Sequence, residues 1–139
     1  MIDAEPVGPA QIQEIVTDDD VVRVRQLVRA TAVATKLTLV DQTKLVTAAS
    51  ELARNTLIYG GGGRAEVQAV TNGRRNGIRI AFVDEGPGSV DLERAFTDGY
   101  STGGGLGLGL SGARRLMDEF DLRTEAGRGT VVTAVKWER

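Results

Sequence analysis

Tyr100-Ser101-Thr102-Gly103-Gly104-Gly105-Leu106-Gly107-Leu108-Gly109-Leu110 is a glycine cluster that runs straight into a helical apolar pattern. Leu106, Leu110, Ala113, Met117 and Phe120 fall on one face at helical spacing. Glycine has no Cβ to block close approach and reaches φ > 0 without strain. At a helix start, such a stretch leaves backbone N–H groups pointing outward in the positive end of the helix dipole. That combination forms a phosphate cradle without a lysine. A flexible linker is the plain alternative. Glycines alternating with leucines rather than serines argue against it, because leucines anchor one side of the backbone.

Two phosphate-binding motifs are tested by context. Gly107-x-Gly109-x-x-Gly112 matches the dinucleotide fingerprint, which should follow a buried strand and open a βαβ unit. Here it follows Phe96 to Thr102, which does not read as a strand, and little chain remains for a dinucleotide-binding half. The other glycine-rich motif needs Lys then Ser or Thr after its last glycine, and Leu110 stands there. Both are rejected, so the phosphate site belongs to another fold.

The chain has 139 residues, which predicts one domain spanning 1–139 with a real core. Hydrophobic residues make up 41% and charged residues 26%, as in ordinary soluble proteins. A net charge of −2 offers no basic field for nucleic acid. Cysteine and histidine are both absent, which excludes disulfides, thiolate metal sites, Ser-His triads and phosphohistidine. No apolar run reaches membrane-spanning length and no signal segment opens the chain, so the expectation is a cytoplasmic protein without membrane contact.

Read in order, Ile12 to Val16 predicts a short strand, and Asp18-Asp19-Asp20 suits the start of a helix running to about Ala34. Asp41 is read as the cap of a second helix ending near Tyr59. On that helix Glu51 and Asn55, at i and i+4, share a face. They are either a solvated stripe or a carboxylate and an amide directed into a site. Ala65 to Val70 and Ile78 to Val83 read as an antiparallel hairpin about the turn at 72–77, with Arg74 and Arg75 at its solvated tip. Asp84-Glu85-Gly86-Pro87-Gly88 follows, a carboxylate at a strand end beside spaced glycines. Leu92 to Phe96 reads as a small lid, then come a third helix from about Leu106 to Phe120, a strand at Leu122 to Thr124, a turn at Gly127-Arg128-Gly129, and an interior strand from Thr130 to Trp137. The order predicts an α+β two-layer sandwich, with three helices on one face of a mixed, mostly antiparallel sheet.

Four glycine- or carboxylate-bearing boxes thus occur in a fixed order: Glu51-x-x-x-Asn55 on a helix, Asp84-x-Gly86-x-Gly88 after a strand, Gly103 to Gly109 at a helix start, and Gly127-x-Gly129-Thr130 in a hairpin. Together they resemble the boxes of the GHKL ATPase superfamily and its Bergerat nucleotide fold, over nearly the whole chain. Ser50 to Asn55, Asp98 to Thr102 and Arg115 to Phe120 are similar to the RsbT-type serine/threonine kinases of bacterial sigma-factor control.

The resemblance implies ATP and Mg²⁺ as ligands. It makes Asn55 the magnesium ligand and Glu51 the general base. It makes Asp84 the acceptor of the adenine amino group, with Thr130 supporting the base edge and Gly86 and Gly88 letting the backbone pass close to it. Gly103, Gly104, Gly105, Leu106, Gly107, Leu108 and Gly109 hold the phosphates, with Arg54 or Arg114 as candidate cations. The implied partners are STAS-domain proteins of RsbS and RsbR type as phosphoryl acceptors, and afterwards an RsbU-type phosphatase. The alternative within the same superfamily is an RsbW- or SpoIIAB-type anti-sigma factor kinase. Outside enzymes, a nucleotide-binding adaptor without catalysis is disfavoured by the presence of both Glu51 and Asn55.

Overall fold

The computed structural model describes residues 3–86, 109–125 and 127–139. The first helix, α1, spans Asp18–Ala34 and buries Val21, Val24, Val28 and Ala32, one apolar face at three- and four-residue spacing. Its first turn carries the three aspartates. The Asp20 carboxylate accepts the backbone N–H groups of Val16 (2.9 Å) and Thr17 (3.1 Å), which hold its pKa below the ordinary value. Lys36 then takes φ +64, the left-handed geometry that ends many helices, and Leu37 N–H reaches back to the Ala32 carbonyl.

Helix α2, Leu39–Tyr59, starts at Thr38, whose hydroxyl accepts the Asp41 backbone N–H at 3.2 Å. Thr38 is therefore the cap where the sequence pointed to Asp41. Asp41 turns inward and is only 4% exposed. Its carboxylate faces Lys136 Nζ at 3.6 Å and Arg139 Nε at 3.4 Å.

Among the described residues six strands form one antiparallel sheet: β1 (Glu5–Pro6), β2 (Gln11–Ile15), β3 (Gly63–Thr71), β4 (Asn76–Asp84), β5 (Glu119–Glu125) and β6 (Gly129–Trp137). The order is β1-β3-β4-β6-β5, with β2 also pairing to β3. Strand β6 is interior, as its two largely apolar faces predicted. The β3–β4 turn is tied by the Asn72 side chain, which accepts the N–H groups of Arg74 (2.9 Å) and Arg75 (2.8 Å). The main core lies between one sheet face, carrying Ala65, Val67, Ile78, Ile80, Phe82, Val132 and Ala134, and the helices. On the opposite face Val70, Val135 and Trp137 form a second cluster under Ala4. This is the expected α+β two-layer architecture.

The expected third helix, Leu106 to Phe120, is corrected at its end. The described helix, α3, spans Gly109–Leu116, and Phe120 lies on β5. The chain leaves the helix because Asp118 N–H donates to the Val135 carbonyl (3.0 Å), so this stretch joins the sheet. Lys136, 3% exposed, donates from Nζ to the Leu116 carbonyl at 2.9 Å and closes the helix end. The expected lid at Leu92 to Phe96 lies outside the described residues.

Asp41, Asp118, Lys136 and Arg139 form one ionic group between α2, α3 and β6. Asp118 receives Arg139 Nη2 at 2.8 Å, the Trp137 backbone N–H at 2.8 Å and Lys136 Nζ at 3.6 Å. Burial raises the Asp118 pKa, but these donors and cations outweigh it and hold the carboxyl below its ordinary value. A depressed native pKa means stability that is full above the carboxylate range and is lost as pH falls through it. Urea unfolding should therefore show stability falling below about pH 5. Asp118→Asn should be destabilised at pH 7 and lose part of that acid dependence. Parallel pH profiles for the two proteins would contradict this.

Candidate active site

Three rungs cross the helix-facing side of the sheet. The first reads Val67, Ile80, Ala134 and Phe120, and the second Ala65, Phe82, Val132 and Leu122. The third reads Gly63, Asp84, Thr130 and Thr124. The side chains thus change from apolar to polar at one end of the sheet, where the hydrophobic core stops. A carboxylate and two hydroxyls on core-facing positions need hydrogen-bonding partners, since burying such groups unpaired is unfavourable.

The C-terminal end of α2 lies directly against this polar rung. A Cβ on Gly60 would sit 2.5 Å from both Cβ and Cγ of Asp84. One on Gly63 would fall 2.0 Å from the Val83 carbonyl oxygen and 2.9 Å from Thr56 Cγ2. Gly86 packs on the other side, where a Cβ would meet the Gly60 carbonyl oxygen at 2.8 Å and Asp84 Oδ1 at 3.1 Å. The backbone therefore closes around the Asp84 carboxylate only because Gly60 and Gly86 have no side chain. Oδ1 accepts the Gly86 N–H at 2.9 Å. Among the described residues the second oxygen, Oδ2, has no donor. Beside it Thr130 Oγ1 lies 3.2 Å from Thr124 Oγ1.

Further up α2, Glu51 and Asn55 differ in setting. Glu51 is 5% exposed, on the helix face that buries Ala48 and Leu52, so it is no solvated stripe. Asn55 is half-buried, and among the described residues its side-chain amide makes no hydrogen bond. A half-buried carboxamide and a half-buried carboxylate oxygen, each lacking a protein partner there, suit a polar ligand. Helix α3 packs on α2 and begins at the buried Gly109, with φ +57.

The structure brings together Asp84, Gly86 and Thr130, and carries Glu51 and Asn55 on the helix that abuts them. Gly88, Gly103, Gly104, Gly105, Leu106, Gly107 and Leu108 lie outside the described residues. Gly60, Gly63 and Thr124 are additions. The run Tyr59-Gly60-Gly61-Gly62-Gly63 was legible as a helix stop, and its second use, clearing space against Asp84, needed the β3–β4 register. Arg54 is half-buried on α2 and Arg114 is exposed on α3.

The model for histidine kinase-, DNA gyrase B-, and HSP90-like ATPases matches residues 40–138, and the chain belongs to that family. Within it, the chain is 46% identical over 125 residues to the serine/threonine-protein kinase RsbT of Bacillus subtilis, covering 90% of this chain and 94% of that protein. It is also 30% identical over 119 residues to the anti-sigma F factors of Thermoanaerobacter sp. and Thermoanaerobacter pseudethanolicus, covering 81% of this chain and 82% of each. In fold it is similar to the crystal structure of the RsbU and RsbW domains of a Mycobacterium tuberculosis protein, with a TM-score of 0.66 and 20% identity. That match covers 95% of this chain and 33% of the other.

Proposed function

We infer that the chain is an ATP-dependent serine/threonine protein kinase acting on STAS-domain proteins of RsbS and RsbR type in a stress-response partner switch, after which it activates an RsbU-type phosphatase. The observation that carries the nucleotide site is the polar rung. Asp84 offers to the adenine amino group a carboxylate oxygen that has no donor among the described residues, Thr130 offers a hydroxyl to the base edge, and Gly60 and Gly86 let the backbone pack against the carboxylate. The 46% identity to RsbT supports the kinase reading and its class of acceptor. No described helix is long and apolar enough to cross a membrane, which fits action in the cytoplasm.

Asn55 suits Mg²⁺, because a carboxamide oxygen is a hard neutral ligand and that cation keeps phosphate and water oxygens as its others. Magnesium, when bound, offsets charge on the phosphates. Glu51 takes the proton of the acceptor hydroxyl as its oxygen bonds to the γ-phosphorus and the bond to the ADP oxygen breaks. The phosphates fall to the Gly103–Gly109 stretch, of which Gly109, at the start of α3, is described.

Asp84→Asn tests the site. It replaces one charged acceptor with an amide, and ATP affinity should weaken by about 1–3 kcal/mol. Unchanged affinity by calorimetry would remove Asp84 from the base site. The Thermoanaerobacter relatives favour a second reading, an anti-sigma factor kinase of RsbW or SpoIIAB type. Pull-down with a sigma factor against pull-down with a STAS-protein complex separates the two.

A further inference from the structure

We propose that Thr124 is a specificity and positioning residue for the nucleobase, acting through Thr130. The proposal rests on the adenine reading of the polar rung and names a residue which that reading does not need. Thr124 lies on the edge strand β5, where threonine is an ordinary strand former. Its place on the rung sets it apart. The two preceding β5 positions on that face, Phe120 and Leu122, oppose Ala134 and Val132 and pack into the core. Thr124 opposes Thr130, and their Oγ1 atoms are 3.2 Å apart. Thr130 in turn opposes Asp84. Thr124 is thus two strands from Asp84 on the rung, with Thr130 between them.

The chemistry follows from the edge being read. Adenine presents an amino donor beside a ring-nitrogen acceptor, and guanine presents the reverse, a carbonyl acceptor beside an N–H donor. Asp84 can only accept, so it matches the amino group. A threonine hydroxyl can donate or accept, so on its own Thr130 discriminates nothing at the ring nitrogen. When Thr124 donates to Thr130, the Thr130 proton is directed to the ligand and the rung becomes acceptor–donor, the complement of adenine. Either hydroxyl can donate across the 3.2 Å contact; with Thr124 as the donor, it sets the sense of the Thr130 hydrogen bond without touching the base.

The test measures ATP, GTP and purine riboside triphosphate binding by calorimetry for Thr124→Val, Thr124→Ser, Thr130→Val, the Thr124/Thr130 double valine variant and Asp84→Asn. Thr124→Val keeps the shape and removes the hydroxyl. It should weaken ATP by about two- to tenfold, the range of one hydrogen bond, and leave GTP no weaker, so the ATP-over-GTP preference narrows. Thr124→Ser should restore that preference. The double valine variant should be no worse than Thr130→Val alone. With purine riboside triphosphate, which lacks the amino group but keeps the ring nitrogen, the Thr124→Val effect should persist while the Asp84→Asn effect disappears. An unchanged ATP-over-GTP ratio in Thr124→Val, with Asp84→Asn still weakening ATP, would overturn the role of Thr124 alone. Additive losses in the double variant would do the same. No effect of Asp84→Asn on ATP would overturn the base site itself, and this proposal with it.

Discussion

Glu51→Gln is expected to bind ATP nearly as well as the parent protein while transferring phosphate to a STAS-domain acceptor roughly 10²–10⁴-fold more slowly. Glutamine has the size of glutamate and keeps an acceptor oxygen, so a position only 5% exposed tolerates it sterically. It does not take up a proton at neutral pH. The split between binding and turnover is therefore the signature of a lost base, and loss of both would indicate a collapsed site. Single-turnover transfer from labelled ATP, beside calorimetric affinity, measures each part. Near-normal transfer would mean that positioning and metal electrostatics carry the reaction without Glu51.

Gly129→Ala should damage stability and nucleotide binding together. Gly129 has φ +99, a geometry unfavourable for any residue with a side chain. A Cβ there would also lie 2.0 Å from the Asp84 carbonyl oxygen and 2.8 Å from Glu85 Cα. Backbone strain and overlap with another backbone add up to about 2–4 kcal/mol, a fall in melting midpoint on the order of 10 °C. Relief of the overlap pushes β6 away from β4 at the rung where Thr130 meets Asp84, so ATP affinity should fall as well. Gly127 is the control, with φ +77 and open space around it. Alanine there should bring only the conformational strain, about 1 kcal/mol, and leave ATP binding alone. Equal behaviour of the two variants in thermal melts and ATP titrations would refute the packing argument.

The two residues that define the rung were readable for different reasons. Asp84 stood out because a carboxylate closed an apolar strand and glycines followed it. Thr130 stood out only as part of an ordered set of boxes. Thr124 was unreadable, because a threonine in a short strand looks like any other, and its meaning comes from the β5–β6 register. The ionic group of Asp41, Asp118, Lys136 and Arg139 was hidden for the same reason. Its members come from a helix start, a helix exit and a strand end, and nothing local links them. Asp41 even mimicked a helix cap, since caps and inward acids both favour the first turn. The end of the third helix was misjudged because Phe120 continues the helical apolar spacing. A backbone hydrogen bond from Asp118 to Val135 decided the matter, and such a bond leaves no trace in side-chain pattern.

The polar rung has a consequence for how the chain reaches its working state. Gly63, Asp84, Thr130 and Thr124 come from four strands, and β6, which joins the last two to the first two, lies between β4 and β5. Pairing between segments distant in sequence is the slow part of folding in such topologies. A chain with only its helices and the β3–β4 hairpin in place therefore has Gly63 and Asp84 but lacks the Thr130 and Thr124 half of the rung. With the proposed base site on the rung, ATP is expected to bind the completed sheet and to slow the release of β6 rather than guide the early steps.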